Sequence, residues 1–172
     1  IIKAGLIADR GLFELFENHP IDAFRNDQSL LNEAITRAIR VKADVVERDE
    51  RESGERRKLN LGHTFAHAIE KCGNEFLHGE AVAIGTVMIA RLSAHLGTAT
   101  QDEADRVRRV FERMGLPIRT EIDFKRLVKA LKHDKKKEAD SVSFVLLRGI
   151  GDCEIRRFTF DEIDRLPDPA AE

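Results

Sequence analysis

A chain of 172 residues is long enough for one good hydrophobic core, and 42% hydrophobic with 35% charged residues describes a soluble domain with a heavily solvated surface. The formal net charge of -2 calls for neither nucleic acid nor a membrane surface as partner, and the apolar stretch over 81–90 is too short to span a bilayer. Two cysteines, Cys72 and Cys153, make no disulfide framework and no zinc knuckle, and read as reduced thiols of a cytoplasmic protein.

The chain opens on Ile1 with an apolar run through Ile7, and no signal-peptide pattern follows. A helix that starts in mid-pattern without a cap suggests a fragment boundary. Asp9 caps a short helix that runs to His19 and is stopped by Pro20. From about 28 to 50, Leu31, Ile35, Ala38, Ile39, Val45 and Val46 mostly keep helical spacing and predict one long helix. The charged run 48–58, around Gly54, reads as a loop. A third helix is expected over 59–72, closed by Gly73. The fourth, 78–96, is apolar nearly all round, the pattern of a helix surrounded by others. Thr100-Gln101-Asp102-Glu103 is a capping box that opens a fifth helix, ended by Gly115, and a sixth covers roughly 123–132. The tail changes character. Residues 142–147 are rich in β-formers, Gly149-Ile150-Gly151-Asp152 turns the chain, and 153–160 alternates, so a hairpin fits, with a short helix after Asp161. The expected fold is mainly α, a multi-helix domain with a small C-terminal β-hairpin.

The chemistry concentrates in Asn60-Leu61-Gly62-His63-Thr64-Phe65-Ala66-His67. On a helix His63 and His67 share one face, about a turn apart, with Asn60 in the same stripe and Glu70 beyond it. Leu61, Phe65, Ala68 and Cys72 fall on the other side and can pack into the core. Two histidines at this spacing chelate metals, but the zinc-protease reading fails because Thr64 stands where that chemistry needs a glutamate base. From the pair alone, a solvated face with incidental histidines carries about equal weight. His78, in Leu77-His78-Gly79-Glu80, tilts the balance by offering a second helix's imidazole. Catalytic zinc usually takes three protein ligands, and this chain supplies two good candidates without an obvious third. Lys42, Arg56, Lys135 and Lys136 are cations suited to carboxylate or phosphate, although each alone is better read as surface charge.

Taken in order, Lys42, the run 49–56, Asn60 to Glu70 and Leu77-His78-Gly79-Glu80-Ala81-Val82 closely resemble the C-terminal domain of 3-dehydroquinate synthases. Residues 3–7, Asp134-Lys135-Lys136 and 145–151 extend the match to nearly the whole chain; Ala66 departs from an expected glycine. The resemblance implies that residues 1–172 are the helical metal- and substrate-binding domain of a two-domain enzyme, without its N-terminal NAD-binding domain. It implies a divalent metal, normally Zn2+ but also Co2+, and NAD in the full-length enzyme. The sugar phosphate 3-deoxy-D-arabino-heptulosonate 7-phosphate would be the substrate and 3-dehydroquinate the product, on the shikimate route to chorismate and aromatic amino acids, in a homodimer. Carried over residue by residue, His63 and His78 become metal ligands, the third being a glutamate one residue before Ile1. Lys3 would touch substrate hydroxyls, and Glu52 and His67 would transfer protons. Lys42, Arg56 and Asn60 would hold the carboxylate, and one of Lys135 and Lys136, preferentially Lys136, a further substrate group. The fragment alone would be inactive. The alternatives are a related sugar-phosphate cyclase of the 2-deoxy-scyllo-inosose synthase type, a metal-dependent alcohol dehydrogenase, and a helical module without chemistry.

Overall fold

The computed structural model describes residues 1–51, 54–73, 75–135 and 140–169, except for the side chains of Asp134 and Lys135. Glu52 and Lys136 lie outside the described residues.

The elements run α1 (Ile2–Ala8), α2 (Arg10–Asn18), α3 (Ile21–Asn26), α4 (Gln28–Arg48), a 3-10 helix (Glu55–Asn60), α5 (His63–Cys72), α6 (His78–His95), α7 (Gln101–Arg113), α8 (Phe124–Lys135), β1 (Ser141–Leu147), β2 (Cys153–Thr159) and α9 (Phe160–Asp164). The expected helical domain with a terminal hairpin is the observed one. β1 and β2 pair antiparallel from Ser141 opposite Thr159 to Leu147 opposite Cys153.

α6 is the central post. Ala81, Ile84, Val87, Met88, Ile89 and Leu92 are all buried, because α5, α7 and β1 pack around it. Its Ser93 hydroxyl donates to Ile89 O and accepts the buried amide of Leu147, so a helix side chain supplies what a strand partner would otherwise give. The apolar back of α5 enters the same core. Phe65 is fully buried, with its ring 5.5 Å from Phe144, which in turn meets Phe158 at 5.4 Å, so one aromatic chain joins α5 to both strands. Truncating a Phe so placed costs about 3–5 kcal/mol.

At the other end of the domain, charges tie the helices together. Asp9 caps α2 by accepting from Leu12 N at 3.0 Å. The same carboxylate takes both arms of Arg37 on α4, with Nε at 2.8 Å. Arg106 on α7 grips Glu17 on α2 through two bonds of 2.7 Å. Such bidentate, partly buried pairs are the strong form of the interaction.

The structure differs from the sequence reading in several places. The helix expected over 59–72 is two elements, because Leu61-Gly62 breaks it. Gly62 is left-handed at φ 80, and a Cβ there would collide with Thr86 Oγ1 and stand 2.9 Å from Val82 O. Asn60 therefore ends the 3-10 helix and does not share the α5 stripe. Part of the charged loop is ordered as that 3-10 helix, since Asp49 Oδ2 accepts both Gly54 N (2.8 Å) and Arg56 N (3.0 Å) and folds the segment back on α4. Gly73 closes α5 as expected, in an extended conformation with φ -172. α3 was not foreseen, and α9 begins at Phe160, where Thr159 caps it by accepting from Glu162 N.

Candidate metal and substrate site

The crossing of α5 and α6 builds the site. Gly85, on α6, faces the Gly62 carbonyl so closely that a Cβ would collide with its oxygen and stand 3.0 Å from Ala66 N. Two glycines thus let backbone meet backbone just before His63. Ala66, the residue that departs from the expected glycine, is fully buried where α5 packs on α6.

With the helices so close, three imidazoles gather. The ring centroids are 5.3 Å apart for His63 and His78, 5.7 Å for His63 and His67, and 6.4 Å for His67 and His78. His63 is half-buried, while His67 and His78 are exposed. His78 Nδ1 lies 2.7 Å from Glu70 Oε1, and a carboxylate can only accept, so Nδ1 carries a proton and, in the neutral ring, Nε2 keeps its lone pair. Among the described residues, no group of three or more His, Cys, Asp or Glu side chains converges to hold an ion.

Lys3 reaches in from α1. Its Nζ donates to Leu59 O at 2.6 Å and lies 3.3 Å from His63 Nδ1. Burial pulls its ammonium down to about 8. Burial, and then the charge of Lys3, push the His63 imidazolium down to about 4, so this ring is neutral at physiological pH. His63 Nδ1 is also 3.2 Å from Leu61 O. The two contacts are alternatives, because the carbonyl needs a proton on Nδ1 and an ammonium needs a lone pair there. A cation on Nε2 selects the carbonyl. Both histidines can therefore present Nε2 while Nδ1–H is accepted by the protein, the arrangement usual for metal-bound imidazole. Imidazole nitrogens are donors of the type that a borderline divalent cation such as zinc or cobalt prefers, and these two would be part of its ligand set.

Lys3 and Lys42 line one cleft of about 430 Å3, walled by Ile7, Ile35, Ala38 and Leu59. Arg56 stands at the start of the 3-10 helix, where Nη1 donates to Glu50 O at 3.0 Å, and Asn60 stands exposed at its end. Lys135 closes α8, and its side chain lies outside the described residues, as do Glu52 and Lys136. Sequence reasoning had placed Glu70 on the histidine face without giving it a partner, and it had no signal for the carbonyls of Leu59 and Leu61, which belong to the break at Gly62.

The helical fold that carries these residues is that of the sugar-phosphate cyclases. The solved 2-epi-5-epi-valiolone synthase of Streptomyces hygroscopicus subsp. jinggangensis, with NAD+ and Zn2+ bound, superposes with a TM-score of 0.80 at 28% identity, covering 95% of this chain and 47% of that one. A 2-deoxy-scyllo-inosose synthase shares the fold, with a TM-score of 0.72 at 21% identity over 96% of this chain and 48% of its own. Within that class the sequence is decisive: residues 1–137 match the family model described as 3-dehydroquinate synthase C-terminal, and the chain belongs to that family. The 3-dehydroquinate synthase of Nitrosomonas europaea is 46% identical over 154 residues, 88% of this chain and 42% of the relative. That of Pseudomonas fluorescens is 47% identical over 163 residues, 90% and 43% respectively. The chain thus spans less than half the length of the curated relatives it matches. No helix among the described residues is long and apolar enough to cross a membrane.

Proposed function

We propose that this chain is the metal- and substrate-holding part of a 3-dehydroquinate synthase, a phosphate-eliminating carbon–oxygen lyase. In the full-length protein it would convert 3-deoxy-D-arabino-heptulosonate 7-phosphate to 3-dehydroquinate and phosphate, on the route to chorismate. The observation that carries this reading is the approach of His63 and His78 to 5.3 Å, each able to offer Nε2 to one ion. Relatives of that name at 46% and 47% identity support it, and the NAD+ and Zn2+ of the valiolone synthase support the same cofactors here. A divalent cation held by His63 and His78 would supply Lewis acidity toward a substrate hydroxyl, and NAD, held by a domain beyond these residues, would supply hydride chemistry.

The chain's own residues then divide the work. Lys3, with its ammonium near 8, can hold a hydroxyl beside His63 and pass a proton at physiological pH. Lys42, across the same cleft, offers a point charge to an anionic group. Arg56 and Asn60, at the two ends of the 3-10 helix, would hold the carboxylate. His67, exposed beside the other two rings, would move protons together with Glu52, and Lys135 or Lys136 would add a further substrate contact. Fixing a substrate that carries a phosphate and a carboxylate in this way is worth roughly 7–11 kcal/mol of barrier. A cytoplasmic location and a homodimer belong to the same proposal and rest on the family resemblance.

Calorimetric titration of the chain with zinc tests the site. His63→Ala and His78→Ala should each abolish stoichiometric binding; tight binding unaffected by His63→Ala would contradict it. Joined to its NAD-binding domain, the enzyme should turn over the carboxylate-bearing heptulosonate and not a hexose phosphate lacking the carboxylate. The reverse preference would favour the 2-deoxy-scyllo-inosose synthase reading.

A further inference from the structure

His78 has a problem that His63 does not. The His63 ring is half-buried and lies against the fixed carbonyl of Leu61. The His78 side chain is 60% exposed at the first residue of α6, and a Cβ built on the next residue, Gly79, would meet nothing within 4 Å. A ring so placed is free to rotate and to exchange its tautomer, and both motions spoil a ligand, because a cation needs one nitrogen aimed and unprotonated.

Glu70 removes this freedom. It lies two turns beyond His63 on the same face of α5, and its carboxylate, 31% exposed, reaches His78 Nδ1 at 2.7 Å. We infer that Glu70 is a positioning residue that accepts a hydrogen bond from His78 Nδ1–H, locks the ring across the α5–α6 junction and leaves Nε2 aimed and unprotonated for the metal. A carboxylate behind an imidazole also raises its basicity as a ligand. The two candidate ligands would then be oriented differently, one by backbone and one by a side chain, and only the second can be removed by substitution. The inference rests on the metal-site reading above.

The test uses the chain with zinc alone as probe, and two readouts. In the metal-free protein, long-range proton–nitrogen correlation spectra should report the Nδ1–H tautomer for His78. Glu70→Ala should shift the ring toward Nε2–H and weaken zinc binding about 10–100-fold. Glu70→Gln keeps an oxygen acceptor, so it should keep the tautomer and lose less affinity, and it serves if the alanine variant fails to fold. If His63→Ala and His78→Ala abolish zinc binding while Glu70→Ala leaves both affinity and tautomer unchanged, Glu70 does not position the ring. If the histidine variants bind zinc as the parent does, the metal site itself falls, and the tautomer readout still decides whether Glu70 orders His78.

Discussion

Gly85→Ala sets two physical effects against each other. In the middle of a long helix the substitution should stabilise by about 1 kcal/mol, because alanine is the better helix former. The crossing opposes it. The new methyl would collide with the Gly62 carbonyl oxygen, and Gly62 C at 3.2 Å and Ala66 N at 3.0 Å close off the other directions. All three atoms are backbone, so no side chain can swing away, and relief requires α5 to move off α6. Overpacking of this kind costs roughly 1–3 kcal/mol and more where backbone must shift. The net expectation is a loss of about 2 kcal/mol, or roughly 4–8 °C in Tm for a domain of this size. Gly79→Ala is the control, since open space surrounds it, and it should gain about 0.5 kcal/mol. Urea and thermal denaturation followed by circular dichroism measure both. A Gly85→Ala chain as stable as the parent would show that the two helices do not meet as tightly as described.

Other outcomes follow from the charges. Asp9 and Glu17 are held below the ordinary carboxylate values of 3.8 and 4.5, first by hydrogen bonds from Arg37 and Arg106 respectively. Groups depressed in the folded state contribute stability above their unfolded pKa and lose it as pH falls through the folded one. Each pair should therefore add roughly 1–3 kcal/mol at neutral pH, fading below the ordinary carboxylate range. Arg37→Met and Arg106→Met should lower the urea midpoint at pH 7 and converge with the parent in strong acid; an equal loss at both pH values would refute the assignment. Lys3→Met removes one of the charges that depress His63, so the imidazole should titrate above its present value of about 4 in the metal-free protein, though still below the usual range because burial is the larger cause. An unchanged histidine titration by NMR would sever the link between Lys3 and His63. The family resemblance puts a glutamate ligand one residue ahead of Ile1, and a chain carrying glutamate there should bind zinc more tightly than one carrying alanine. No gain in calorimetric affinity would count against a third ligand at that position.

Much of the helical frame was legible because apolar spacing is a strong signal over long stretches. α4 runs within two residues of its expected end, and α6 announced its central place by being apolar on every side. What stayed hidden depends on contacts distant in sequence. The apolar spacing through Leu61, Phe65 and Ala68 runs on past Gly62, so the pattern reads as one helix, and only the approach of Gly85 explains the break. α3 is six residues long after Pro20, too short for a period to show. At the site, the pairing of His63 with His78 was readable from motif order, but the roles of Glu70, Leu59 and Leu61 were not, since they arise from the way α1 and α6 meet α5.

The most direct test is a crystal structure of the chain soaked with zinc, with anomalous scattering measured at the zinc edge. One peak within bonding distance of both His63 Nε2 and His78 Nε2, with Glu70 still on His78 Nδ1, is the predicted result. A fully occupied ion elsewhere, with the two rings turned apart, would contradict it.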